Sequence, residues 1–267
     1  MLSSKRVLWG EGLFLRPQHF QQQALFVEST IAQCLRQAHG NPWGIRQISI
    51  DADALRGGML RLNTLEMVFQ DGTRVVAPSG NPLPLARNLA EIPQVGTQTI
   101  LYACLPALNA FGGNCAEADG TTAHPARYLI TRTPTPDLYT NALEAEVTCL
   151  HANVRLMLEE KNRDGHYCVA IGRINKNANG IWDIDHSFIP PLLEIGGSLH
   201  LGMLTRRLLD ILLVKSQALA ARHRERVKSI VEYGTSDIAS FWLLHTVNRN
   251  FPLLNHFSTM PTHPEAL

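Results

Sequence analysis

From Trp43 to Ile184 the apolar residues of this chain recur mainly at every second position, and beyond Pro190-Pro191 they recur at every third or fourth. A period of two belongs to strands with one buried face, and a period near 3.6 belongs to helices. A proline pair cannot join a central strand, so the chain is expected to divide there, strands before and helices after. Leu60 and Leu62, then Leu65, Met67 and Phe69, alternate with polar neighbours, and Asp71-Gly72 reads as a hairpin turn into Thr73–Ala77. Gln98–Leu105, Val147–Leu158 and Tyr167–Ile174 are further strand candidates, and Asn179-Gly180 turns the chain into Ile181–Ile184. The crossover helices that parallel strands require are missing, so the expected architecture is an antiparallel sandwich or barrel. Residues 109–136, rich in Gly, Asn, Thr and Pro, read as long surface loops.

Helices flank this region, which makes the class α+β. Between Pro17 and Gly40, the residues Phe20, Ala24, Val27, Ile31, Leu35 and Ala38 fall on one stripe, expected to face a core. Pro17 suits the first helical turn, and Gly40 with Pro42 is a stop signal. From Leu199 to about Ile230, Leu201, Leu204, Leu208 and Ile211 hold a three-four-three spacing, and Leu209, Leu212, Leu213 and Val214 widen the band. A band so wide exceeds a two-stranded seam and implies burial against several helices. Thr235, Ser236 and Asp237 offer caps for a second helix through Phe241, Trp242, Leu244 and Val247. Leu253, Leu254 and Phe257 still read as packing residues close to the last residue, which is expected of part of a longer chain.

Motif chemistry is sparse. Glu11 and His19 could form a base and its partner, but no Ser or Cys nucleophile motif lies near them. The eleven histidines include no H-x-x-x-H with a carboxylate at zinc-site spacing, and "HPE" at 263–265 reads as a helix start. Gly112-Gly113 and Gly196-Gly197 belong to no phosphate-cradling loop. Arg206, Arg207, Arg222, Arg224, Arg226 and Lys228 read as a solvated helix face, because no aromatic platform interleaves with them. A net charge of +1 gives no field toward nucleic acid or anionic membrane. Five cysteines without a C-x-x-C pair read as free thiols in a reducing compartment. No signal peptide is visible, and the longest aliphatic run, Ile211–Val214, falls far short of the roughly 18 apolar residues of a membrane span. These features point to a soluble cytoplasmic protein with no catalytic site, metal or cofactor. A binding or assembly role leads.

Five ordered stretches carry a family resemblance: "LWGEGLFLRPQHFQQQ" at 8–23, "HGNPWGI" at 39–45, "ALNAFGGN" at 107–114, "FIPPLLEI" at 188–195 and "FWLLHTVNRNFPLL" at 241–254, closing with "HPEAL". Together they resemble the TssK (ImpJ/VasE) family of type VI secretion baseplate subunits. The resemblance implies a fold like that of phage receptor-binding proteins: a β-sandwich shoulder at residues 1–198, then a helical-bundle neck from 199 to 267. It implies a homotrimer whose shoulder docks on the TssF/TssG wedge, at the baseplate beside the inner membrane. A C-terminal head, which family members carry past the match to "HPEAL", would reach the TssJ–TssL–TssM membrane complex. On this reading Trp9 and Phe14 are anchors for wedge or inter-subunit contact, with Arg16, Gln18 and Gln21 as a polar rim. Leu201, Leu204, Leu208, Ile211 and Leu212 are the trimerisation residues. The rival reading is a phage-tail-like receptor-binding or fibre protein with an external target.

Overall fold

The computed structural model describes residues 5–91, 97–117, 125–140, 142–228 and 235–267, with the side chains of 91, 226–228 and 235–237 excepted. The caps read at Thr235, Ser236 and Asp237 therefore lie outside the described side chains, as do Arg226 and Lys228 of the basic stretch. Two compact units are present, Met1–Pro191 and Leu192–Leu267.

The first unit opens with α1 (Pro17–Ala38), followed by β1 (Gly44–Ile50), α2 (Ala52–Arg56), β2 (Met59–Leu60), β3 (Leu62–Val68) and β4 (Arg74–Ala77). β5 (Arg87–Asn88), β6 (Gln98–Pro106), β7 (Cys115–Ala116), β8 (Tyr128–Thr135), β9 (Ala145–Ala152), β10 (Arg155–Leu158), β11 (His166–Lys176) and β12 (Trp182–Ile184) complete it. One antiparallel sheet has the order β1-β3-β4, a second β10-β6-β11-β12, and a short pair joins β2 to β5. The alternation read at Leu60–Phe69 buries Leu60, Leu62, Leu65, Met67 and Phe69 almost completely. Leu62 and Leu65 break strict alternation because β3 carries one extra residue there: Ser49 pairs with Thr64 but Ile50 pairs with Leu62. Gly172 of β11 lies where a Cβ would come within 3.3 Å of the Ile50 side chain, so glycine permits the close approach of β11 to β1.

Two readings change at this level. β8 and β9 form a hairpin paired along their whole length, from Tyr128↔Ala152 to Thr135↔Ala145, with β7 beside its base in a short parallel pairing. Part of the stretch read as loop is therefore strand; its Thr, Arg and Pro residues hid a segment whose outer half has no buried face to imprint a pattern. The five thiols are not all free either, since Cys104 and Cys168 form a disulfide. They stand opposite one another on β6 and β11, 64 residues apart, so their spacing carried no signal. Cys34, Cys115 and Cys149 remain thiols.

Arg127 holds the first unit together at one point. Its side chain is 4% exposed, and it donates to the Pro106 carbonyl at 2.7 Å, to Asp71 Oδ2 at 2.5 Å and to Thr73 Oγ1 at 2.6 Å. The guanidinium thus ties the β3–β4 turn to the end of β6 and the start of β8. Burial opposes its charge, and the Asp71 carboxylate and the Tyr128 hydroxyl together more than restore it, leaving the pKa above its ordinary value.

The second unit is a helical hairpin of α3 (Leu199–Lys228) and α4 (Thr235–Thr259), closed by a single 3-10 turn at Pro264–Ala266. The helices run antiparallel, since Ser216 meets Asn248 at 2.6 Å and His223 stacks near Phe241. Thr205 and Leu209 of α3 and Val247 of α4 are buried. Ser198 Oγ accepts from the Leu201 N–H to cap α3, and His263 Nδ1 accepts from the Glu265 N–H, so "HPE" is indeed a helix start. The second helix extends well past Val247, through Pro252, because a proline costs the ladder one N–H without ending a helix that packing holds.

Candidate functional site

The two units present apolar surface that a self-contained protein would bury. In the segment before α1, Leu8 and Phe14 are exposed, Phe14 at 80%, and Trp9 is half exposed. Trp9 lies against the His19 and Phe20 rings, at centroid distances of 6.3 and 6.2 Å, so its outer half faces solvent. Arg16, Gln18 and Gln21 are exposed on the same short stretch. His19 caps the helix start, since its Nδ1 accepts from the Arg16 N–H at 3.0 Å, where a Glu side chain closes the usual capping box.

α1 corrects the reading of its stripe. Phe20, Val27, Ile31 and Leu35 are exposed rather than core-facing, and Ala32 alone is buried. The helix seats instead on a neighbouring line, where Ala32 sits over Gly72 of the β3–β4 turn and Arg36 donates to the Gln70 carbonyl. A Cβ at Gly72 would come within 2.9 Å of Ala32 Cβ, so the seat accepts only the smallest pair. Adjacent residues lie about 100° apart around a helix, so seating Ala32 turns Ile31 and the large residues in line with it away from the turn. Periodicity shows that a stripe exists, but not what covers it.

α3 divides its broad band in two. Thr205 and Leu209 turn inward and Leu212 is half-buried, whereas Leu204, Leu208 and Ile211 form an outward row, with Leu201 half-buried at its start. Met203 and Val214 on α3 and Ile238, Phe241, Trp242 and Leu253 on α4 add to this exposed surface. An open cleft on α4 is lined by Trp242, His245, Thr246, Arg249, Asn250 and Leu253.

Sequence reasoning missed two other exposed features. Phe111 stands in the loop between β6 and β7, and Leu138, Tyr139 and Leu143 stand at the end of the β8–β9 hairpin. An aromatic beside two glycines, as in "AFGG", was the available signal for the first. The second had none, because the hairpin itself was read as loop.

Among the described residues no three His, Cys, Asp or Glu side chains group so as to hold a metal ion, and no helix is long and apolar enough to cross a membrane. Displaced carboxylates belong to structure. Asp185 is held down at about 2 by hydrogen bonds from the Ser187 hydroxyl and N–H, aided by Arg173. Asp51 is lowered by the Ala54 N–H it caps and by Arg61, and Asp137 by the N–H groups of Tyr139 and Thr140 and the Thr140 hydroxyl. What the exposed apolar rows offer is surface for binding.

Known proteins resemble this chain over nearly its whole length. The family model described as "Bacterial Type VI secretion, VC_A0110, EvfL, ImpJ, VasE" matches residues 19–267. The type VI secretion system baseplate component TssK1 of Pseudomonas aeruginosa is 31% identical over 267 residues, covering 99% of this chain and 58% of the relative. The chain thus spans under two thirds of that relative's length. A cryo-electron microscopy structure of the type VI secretion TssK-TssF-TssG baseplate subcomplex contains a similar chain, with a TM-score of 0.87, 29% identity, and coverage of 98% of this chain and 83% of that one. A structure of the type VI secretion baseplate complex gives a TM-score of 0.90 at 29% identity, covering 99% of this chain and 59% of that one. A crystal structure of TssK gives 0.84 at 25% identity, with coverages of 98% and 61%.

Proposed function

The chain belongs to the bacterial type VI secretion family ImpJ/VasE, and from that premise we propose that it is the shoulder and neck of a structural baseplate adaptor. The first unit would be the sandwich-like shoulder, akin to those of phage receptor-binding proteins, and the helical hairpin the neck that draws three copies together. Trp9, Phe14, Arg16, Gln18 and Gln21 would serve the TssF/TssG wedge or a neighbouring subunit. Leu201, Leu204, Leu208, Ile211 and Leu212 would serve trimerisation. The link to TssJ, TssL and TssM is proposed for the head of the family's longer members, not for residues 1–267. The protein would work at the cytoplasmic face of the inner membrane without being embedded in it.

One observation carries the reading. Large apolar side chains stand exposed in rows on α1, α3 and α4, while small residues such as Ala32 and Thr205 are buried. Rows of exposed large residues on ordered helices mark interaction surfaces. Wedge partners are proposed because a relative of similar fold occurs in a subcomplex with TssF and TssG. The test is co-purification of this chain with its cognate TssF–TssG, and separately with the cytoplasmic parts of TssL and TssM. Retention by the first set is expected. Retention by the second set alone would overturn the assignment.

A further inference from the structure

The loop joining β6 to β7 is more ordered than its length and composition require. Its start is fixed by the Ala107 N–H donating to the Gly165 carbonyl at 2.8 Å, and its end by the Tyr128 N–H donating to the Asn114 carbonyl at 2.9 Å. Two asparagines clasp the interior. The Asn109 N–H donates to Asn114 Oδ1 at 2.7 Å, and Asn114 Nδ2 returns a hydrogen bond to the Asn109 carbonyl at 2.9 Å. Asn109 Oδ1 also accepts from the Phe111 N–H at 3.0 Å. Gly112 and Gly113 follow at φ of 95° and 71°, a region that side chains with a Cβ rarely enter. Nothing lies within 4 Å of the Cβ position at either glycine, so they serve the backbone turn rather than a tight contact. All this holds Phe111 at 98% exposure.

We propose that Phe111 is a preorganised aromatic anchor that fills an apolar socket on the TssF–TssG wedge. The idea rests on the wedge assignment above and adds a contact residue to it. A single exposed apolar side chain is ordinary, but a clasped backbone that keeps a phenyl ring in water is not explained by the fold of its own chain. Ordering the loop beforehand removes a cost that binding would otherwise carry, and buried aromatic anchors dominate interface energies. Residues 107–114 contain no charged side chain, so the complementary surface is apolar and nucleic acid is a poor fit. The α4 cleft of a second copy is a mixed socket, in which His245, Thr246, Arg249 and Asn250 stand beside Trp242 and Leu253, so a phenyl ring there would leave polar groups unpaired. The wedge is the assigned partner because a similar chain occurs in a solved subcomplex with TssF and TssG.

The experiment measures binding of the whole chain to immobilised cognate TssF–TssG, with mass by light scattering in parallel. Phe111→Ser should weaken binding about thirty-fold, the loss of one central hot-spot side chain, with an unchanged melting temperature. Asn114→Ala, which keeps the ring and opens the clasp, should weaken binding by a smaller factor, and neither variant's loss should depend on salt. Wild-type binding with Phe111→Ser within about two-fold of it would overturn the anchor and leave the wedge assignment standing. Absence of wild-type binding would overturn both. A Phe111→Ser chain that binds normally but loses self-association would overturn the anchor in favour of a contact between copies.

Discussion

At Arg127 the fold depends on one buried cation, and truncating it would strand the Asp71 carboxylate and the Pro106 carbonyl beside it. Arg127→Ala should lower unfolding free energy in urea by about 3–5 kcal/mol, the range for breaking one side of a buried pair. Arg74→Ala, which removes an exposed partner of Glu66, should cost under about 1 kcal/mol. Equal effects would show that Arg127 is not the tie its geometry implies. Asp185 gives a second, pH-dependent reading. Its folded pKa of about 2 lies below the ordinary carboxylate value, so the Ser187 and Arg173 interactions stabilise the fold fully above about pH 4. That contribution is lost as pH falls from about 4 to about 2. Asp185→Asn should flatten this part of the stability–pH curve and lower stability at neutral pH; a curve parallel to the parent's would remove Asp185 as a source of acid sensitivity. Neither residue was legible in the sequence. Arg127 and Asp71 are 56 positions apart, and only the folded sheets make them neighbours.

Among the elements, those with a buried face were legible and those without one were not. β3 and β6 are legible nearly to their ends because Leu65, Met67, Leu101, Ala103 and Leu105 are buried and imprint a period of two. β8 was lost because its outer residues, Thr131–Thr135, touch water on both faces. α1 and α3 were found as helices, yet which of their faces is covered was not. On α3 the sequence stripe names Leu204, Leu208 and Ile211, whereas the hairpin buries Thr205 and Leu209. Leu208 and Ile211 are 45% and 48% exposed, so replacing both with Asp should leave the hairpin's helicity intact. In an assembly through this row the same change buries two uncompensated charges. Light scattering should then show the mass falling from trimer to monomer at unchanged circular dichroism. An unchanged mass would mean that this row is not the association surface.

For the whole molecule, the two units differ in how much of their stability is internal. Residues 1–191 enclose a core in which Ile45, Leu55, Leu65, Met67, Phe69, Leu101, Leu105 and Ile174 have no solvent exposure. Among the described residues of 192–267, the buried apolar side chains are Leu192, Ile195, Leu209 and Val247, while exposed large ones line both helices. A core of that size rarely stabilises a chain below about 80 residues by more than a few kcal/mol. A helical hairpin that draws its remaining stability from other copies should unfold by mass action. Residues 1–191 expressed alone should therefore melt at a temperature independent of concentration. Residues 192–267 expressed alone should gain helicity, and melt at rising temperature, as concentration increases across about two decades. Helicity that is full and constant at the lowest concentration would show that the hairpin is self-sufficient. The exposed leucines of α3 would then need a partner other than this chain.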